Sequence, residues 1–173
     1  MQPRKLEKFL NILRDNVPTK PFHLDTMGIP YKEIGSGSFR ETFWLKGYHA
    51  VIKFPMSDTG LSFRDDESCL AHAQHEIEAF ERIRNSRTAI KEFLPVIYYQ
   101  DYDNGVIVME RYKTNWQSAS NTERSLVISK QAYAIGEKIR KYFRIPELHS
   151  DYSGDNLGLD KQGNFHIVDL GVC

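Results

Sequence analysis

The stretch HSDYSGDNLGLDKQGNFHIVDLG, residues 149–171, carries the most informative polar pattern of the chain. Asp151 is followed five residues later by Asn156, and Asp169 comes at the end of a short apolar run. Hard cations such as magnesium prefer oxygen ligands, so Asn156 and Asp169 are candidate metal ligands. Asp151 lies in a predicted loop, where a carboxylate can accept a proton from a hydroxyl group. A turn rich in Asp, Asn, Ser and Gly is the alternative interpretation of this stretch.

Composition and charge limit the class of protein. The chain has 173 residues, of which 40% are hydrophobic and 27% charged, as is typical of one globular domain or two small lobes. The 23 basic and 23 acidic residues cancel, which argues against a general nucleic-acid-binding protein. No apolar run approaches the length of a membrane span. Charged residues interrupt the N-terminal region, which therefore lacks the apolar segment of a signal peptide. Two cysteines make no disulfide framework, so a reducing, cytoplasmic setting is expected.

Hydrophobic periodicity predicts alternating helices and short strands without a long linker. The first predicted helix is expected to cap the rest of the fold, and a partner-binding helix is the alternative. A turn is predicted at Asp103-Asn104-Gly105, between two strands. The predicted helices are 3–16, 66–84 and 122–143, and the predicted strands are 31–34, 41–45, 49–54, 94–99, 105–110, 157–159 and 165–168.

The stretch EIGSGSF places Gly35, Ser36, Gly37 and Ser38 at a turn between two predicted strands. Glycine permits close approach of the backbone to an anion, so such a loop can cover phosphate groups. An ordinary hairpin is the alternative, because two glycines in a hairpin need no ligand.

A lysine and a glutamate are predicted to meet on the buried side of the fold. Lys53 lies in the apolar predicted strand AVIKF. The alternative interpretation is that its side chain points to the solvent face of the sheet. Glu76 shares one face of the predicted helix 66–84 with Phe80 and Ile83, which directs it toward the core. A buried carboxylate needs a cation and a buried ammonium group needs an anion, so each is the natural partner of the other.

Taken in order, these stretches resemble the motifs of the protein-kinase superfamily from about residue 31 to residue 171. The matching stretches are GSGSF, AVIK, HEIEAF, VIVMERY, HSDYSGDN and DLG. The resemblance implies an α+β, protein-kinase-like fold, with a mostly antiparallel N-lobe sheet that contains one helix and a reduced, mostly helical C-lobe. It also implies three parts: a lead-in at 1–30, an N-lobe at 31–110, and a hinge with a truncated C-lobe at 111–173.

The same resemblance implies ATP and Mg²⁺ as cofactors and gives each matched position a role. Lys53 would contact the α- and β-phosphates, Glu76 would orient Lys53, and Asp151 would be the catalytic base. The other matched positions would bind ligands: magnesium at Asn156 and Asp169, and the nucleotide at Gly35, Ser36, Gly37, Ser38, Lys53, Glu110 and Tyr112.

Four departures from the kinase pattern stand out. Arg40 replaces the third glycine of the loop and is expected either to stiffen the loop or to contact phosphate. Ser150 and Ser153 replace an arginine and a lysine of the catalytic loop, and the sequence stops soon after DLG. These departures resemble the minimal kinases of phages and bacterial effectors, some of which depend on a partner. The setting would then be the host cytoplasm.

Two classes of function remain open. The first is ATP- and magnesium-dependent phosphoryl transfer onto a protein hydroxyl, with dependence on a partner protein. The second is a pseudokinase that acts as a nucleotide-responsive binding module or as an inhibitor of a host or partner protein. The intact catalytic positions favour the enzyme. A metal site at Cys69, His72 and His75 is a third idea, for which the sequence offers no fourth ligand. The sequence gives no prediction of the oligomeric state.

Overall fold

The computed structural model describes residues 3–36, 39–56, 66–113, 122–144 and 156–170, and these divide into two compact units. One unit contains residues 1–77 and 96–111, and the other contains 78–95 and 112–173. The helices are α1 (Pro3–Asp15), α2 (Phe22–Thr26), α3 (Asp66–Arg84) and α4 (Thr122–Phe143), with a 3₁₀ helix at Ala89–Phe93. The strands are β1 (Tyr31–Ser36), β2 (Arg40–Leu45), β3 (Ala50–Pro55), β4 (Ile97–Asp101), β5 (Val106–Glu110), β6 (Leu157–Leu159) and β7 (Phe165–Ile167).

The first unit is built on a five-stranded antiparallel sheet with the strand order β1-β2-β3-β5-β4. In the sequence, α3 lies between β3 and β4. The predicted α+β fold class, with one helix inside a mostly antiparallel sheet, is therefore confirmed. The division into three parts at residues 30 and 110 stays a prediction. The strand β4 begins at Ile97 and not at the predicted residue 94, because Pro95 has no N–H group to give to a ladder.

One face of the sheet carries the hydrophobic core of the first unit. Side chains alternate along a strand, so every second residue of β2, β3 and β5 points to this face. The helices α1 and α2 cover it with Phe9, Leu13 and Leu24. The first helix therefore packs as a cap on the sheet, as expected. The buried sheet residues of this core are Phe43, Leu45, Ala50, Ile52, Phe54, Val106 and Val108.

The strand register decides which residues reach the opposite face. Thr42 pairs with Lys53, and Lys53 in turn pairs with Ile107. Cross-strand partners lie on the same face of a sheet, so these three positions share the face turned away from α1. The apolar residues of that face, Val51, Ile107 and Met109, are also buried.

The second unit contains α4, the 3₁₀ helix and the β6–β7 hairpin. Ile128, Ala132 and Ile139 lie along one face of α4 and are buried. The hairpin pairs Leu157 with Ile167, and its backbone also bridges Lys113 to Leu159. Within the described residues, no helix is both long enough and apolar enough to cross a membrane.

The turn of this hairpin depends on Asp160. Its Oδ1 atom accepts hydrogen bonds from the backbone N–H groups of Gln162 at 2.9 Å and Asn164 at 2.8 Å. Its Oδ2 atom accepts one from the Asn164 side chain at 2.9 Å. Burial by itself raises the pKa of the Asp160 carboxyl, but the hydrogen bonds from Asn164 and its neighbours outweigh burial and lower this pKa. The charged form of Asp160 therefore stabilises the folded hairpin.

We expect Asp160→Ala to lower the free energy of unfolding by about 1–2 kcal/mol at neutral pH, because several hydrogen bonds are lost. A lowered pKa in the folded state contributes stability above the unfolded-state pKa and loses it as pH falls through the folded value. The difference between wild type and variant should thus shrink below about pH 4. Denaturant unfolding at pH 7 and pH 3 measures both effects. Asp103→Ala, at an exposed position in the β4–β5 turn, is the control, and an equal loss there would contradict this role of Asp160.

Candidate functional site

Three charged side chains meet below the surface of the first unit. Lys53 of β3 and Arg40 of β2 are only 3% and 4% exposed, and Glu76 of α3 is fully buried. The Lys53 Nζ atom lies 3.1 Å from Glu76 Oε1, and the Arg40 Nη2 atom lies 2.6 Å from Glu76 Oε2. The predicted ion pair between Lys53 and Glu76 is therefore present. We refer to Arg40, Lys53 and Glu76 as the charged triad.

Strand and helix periodicity explain how Lys53 and Glu76 come together. Ile52 and Phe54 point into the core beneath α1, so Lys53 between them points to the other face. Glu76 lies one turn before Phe80 and, like it, has no exposed surface. Burying a charge is costly unless it is paired, and this pairing accounts for a lysine and a glutamate at positions that are otherwise apolar.

Arg40 is the member of the charged triad that sequence reasoning missed. It was expected to stiffen the glycine loop or to contact phosphate, but its guanidinium is directed at α3 and bonds to Glu76. Strand pairing could have revealed this placement. Thr42 pairs with Lys53, and Arg40 lies two residues before Thr42, on the same face of the sheet. The pairing register is non-local, so the sequence motif alone did not show it.

The predicted nucleotide-binding residues are only partly within the described ranges. Gly35 lies in β1 opposite Thr42, next to a bulge in the β1–β2 pairing. Gly37 and Ser38 lie outside the described residues, as does the side chain of Ser36. Glu110 ends β5, and its backbone N–H donates to the Val96 carbonyl at 2.8 Å.

Tyr112, which is also predicted to bind the nucleotide, belongs to the second unit. It is buried and lies against the ring of His166, with a centroid distance of 4.5 Å. Packing therefore fixes the side chain of Tyr112, which leaves its backbone as the part suited to contact a nucleotide.

The two predicted magnesium ligands are neighbours in the second unit. The Asn156 carbonyl accepts hydrogen bonds from the backbone N–H groups of Val168 at 2.9 Å and Asp169 at 3.4 Å. The β6–β7 hairpin therefore brings Asn156 and Asp169 side by side at its open end. Both side chains are half-buried, and together they offer the oxygen donors that fit magnesium. Asp151, the predicted catalytic base, lies outside the described residues.

The alternative metal site on α3 lacks a common face. Cys69 and His72 are buried, whereas His75 is exposed, so the three side chains do not converge. Among the described residues, no group of three or more His, Cys, Asp and Glu side chains is arranged to hold a metal ion.

Comparisons with known proteins give likeness to solved structures alone. No family model matches the chain, and no curated protein matches it. A solved structure, the ternary complex of streptomycin and ATP with APH(2")-IIa, matches at 18% sequence identity with a TM-score of 0.38. The alignment covers 64% of this chain and 35% of that one, so this chain spans about a third of the length of the protein that it matches.

Proposed function

We propose that this protein is an ATP- and Mg²⁺-dependent phosphotransferase of the protein-kinase type. The observation that carries the proposal is the buried ion pair of Lys53 with Glu76, made by a strand lysine and a glutamate on the helix that follows. A lysine on this strand paired with a glutamate on the following helix is the arrangement that the kinase motifs of the sequence imply. A solvated surface pair would carry no such meaning, but both members of this pair are buried.

Lys53 is proposed to hold the α- and β-phosphates of ATP. A lysine ammonium group carries three hydrogens, so it can bond to Glu76 and to phosphate oxygens at the same time. Glu76 helps to fix the position of the ammonium group, because its carboxylate lies 3.1 Å away and is itself fully buried. Gly35, Ser36, Gly37 and Ser38 are proposed to cover the phosphates with their backbone N–H groups. The backbone of Glu110 and Tyr112 is proposed to bind adenine.

Asn156 and Asp169 are proposed to hold magnesium, which neutralises negative charge on the phosphates when it is bound. Asp151 is proposed to accept the proton of the attacking hydroxyl group. In the transfer, a bond forms between the acceptor oxygen and the γ-phosphorus. The bond from that phosphorus to the β–γ bridging oxygen breaks, and ADP departs.

A protein hydroxyl is the proposed acceptor, and a partner protein is proposed to position it. This part of the proposal rests on the resemblance to minimal kinases of the phage and bacterial-effector type. A pseudokinase that binds nucleotide without transferring phosphate is the competing function, and the test below separates the two.

The test compares wild type with Lys53→Met, with magnesium-dependent ADP formation as the measurement. Water can replace the natural acceptor, so the assay needs no identified substrate. We expect the variant to lose about 10²–10³-fold in rate, because a charge that stabilises the reacting phosphates is removed.

Lys46→Met, in the exposed β2–β3 turn, is the control and should keep the wild-type rate. Equal rates for Lys53→Met and wild type would contradict the proposal. Wild-type protein that binds ATP and forms no ADP, either alone or with a cell extract that can supply the proposed partner, would favour the pseudokinase function in its place.

A further inference from the structure

Arg40 joins three separate elements of the first unit through one buried guanidinium. It begins β2, and its Nη1 atom donates to the Gly105 carbonyl in the β4–β5 turn. Its Nη2 atom donates to Glu76 Oε2 at 2.6 Å and to the Ala73 carbonyl at 3.3 Å, both in α3. A single side chain therefore connects a strand, a turn and the helix that carries Glu76.

A second contact holds the same part of α3. Phe39, the residue before Arg40, stacks on His72 with a centroid distance of 4.3 Å and an interplanar angle of 8°. His72 lies one helical turn before Glu76. The start of β2 therefore contacts two successive turns of α3, one through an aromatic ring and one through a charge.

Gly105 shows how closely the β4–β5 turn approaches α3. Its φ angle is +63°, and a Cβ atom placed there would lie 2.7 Å from the Ala73 Cβ and 2.8 Å from the Pro55 Cγ. No side chain fits at that distance without a shift of backbone or helix. The turn thus brings a carbonyl within reach of Arg40 at the point where turn and helix are packed against each other.

The two oxygens of Glu76 are divided between the two cations. Oε1 contacts Lys53 at 3.1 Å, and Oε2 has the shorter contact, 2.6 Å, with Arg40. The planar guanidinium is a rigid fork of donors, whereas an ammonium group is a point charge on a flexible stem. Arg40 is therefore better suited to fix the carboxylate, and Lys53 can hold Glu76 while it bonds to another acceptor.

From these contacts we infer that Arg40 is a positioning residue, which docks α3 against the sheet and places Glu76 so that Lys53 is oriented for the phosphates of ATP. The inference rests on the proposed function. Because the bonds of Arg40 are to protein groups, they hold the helix before nucleotide binds. Arg40 then acts on nucleotide through Glu76 and does not touch it.

The first arm of the test uses protein without nucleotide. We expect Arg40→Met to speed amide hydrogen exchange in α3 by about tenfold or more, since the bonds to Ala73 and Glu76 are lost. Arg14→Met, on the exposed side of α1, is the control and should leave exchange in α3 unchanged. Arg40→Lys keeps the positive charge but lacks the planar guanidinium, so it should give an intermediate increase in the exchange rate of α3. If Arg40→Met does not fold, Arg40→Lys provides the test. Wild-type exchange rates in both Arg40 variants would overturn the inference.

The second arm is a double-mutant cycle on ATP affinity with Arg40→Met and Glu76→Gln. If Arg40 acts through Glu76, its replacement should weaken ATP binding about tenfold in wild type and have little effect in the Glu76→Gln background. An equal loss in both backgrounds would mean that Arg40 contacts the nucleotide directly, and would overturn the inference. Absence of ATP binding by wild type would remove the proposed function, and amide exchange alone would then decide whether Arg40 holds α3.

Discussion

Asp151→Asn is expected to reduce phosphoryl transfer by ~10²–10⁴-fold, the usual contribution of a positioned general base. The factor corresponds to about 3–5 kcal/mol of transition-state stabilisation at about 1.4 kcal/mol per decade. Asparagine keeps the shape of the side chain and removes its ability to take up a proton. ATP and magnesium should bind to the variant almost as they bind to wild type, because neither ligand is assigned to Asp151. The measurement is the single-turnover rate of phosphoryl transfer from labelled ATP. This rate should fall without a matching change in nucleotide affinity.

Asp155→Asn provides the matched control, because it makes the same chemical change four residues further along the same stretch. It should leave the transfer rate close to that of wild type. A natural function that survives Asp151→Asn in full would contradict the enzyme and favour the nucleotide-responsive module. A function that is lost while nucleotide binding persists would show that chemistry is required.

Glu76→Ala should have the largest effect on stability, a loss of about 3–5 kcal/mol in the free energy of unfolding. The reason is that Arg40 and Lys53, both almost fully buried, would lose the carboxylate that they share. A buried cation without an anion is far more costly than the broken bond itself. Denaturant titration followed by far-UV circular dichroism measures the loss.

Glu78→Ala, on the exposed side of the same helix, is the control and should cost less than about 1 kcal/mol. The combination of Glu76→Ala with Lys53→Met should recover part of the stability, because one of the two buried charges is removed as well. An additive loss in that combination, or a loss of similar size in Glu78→Ala, would show that the charged triad is not the cause.

Local periodicity was sufficient to predict the long elements. The predicted helix 66–84 has the observed bounds of α3, and the strand pair at the Asp103-Asn104-Gly105 turn is present. Among the residues that the structure describes, two elements were missed, α2 and the 3₁₀ helix at Ala89–Phe93, each of five residues. A segment of little more than one turn does not repeat its apolar positions, so it has no periodic signal.

The candidate site was predictable where one element determines the direction of a side chain. Glu76 follows from the apolar face of α3, and Lys53 follows as its partner. Arg40 could not be placed in this way, because its position depends on the pairing of β2 with β3 and on the close packing of the β4–β5 turn. Interactions of this kind join residues 33 and 65 positions apart, beyond any local pattern.

Titration of ATP into the wild-type chain, with magnesium and with a chelator, tests the central claim most directly. Isothermal calorimetry should show saturable binding of one nucleotide per chain in the presence of magnesium. Affinity should be clearly lower with the chelator, because Asn156 and Asp169 are proposed to bind the nucleotide through the metal. The absence of saturable binding under both conditions, in protein shown to be folded by circular dichroism, would contradict the account.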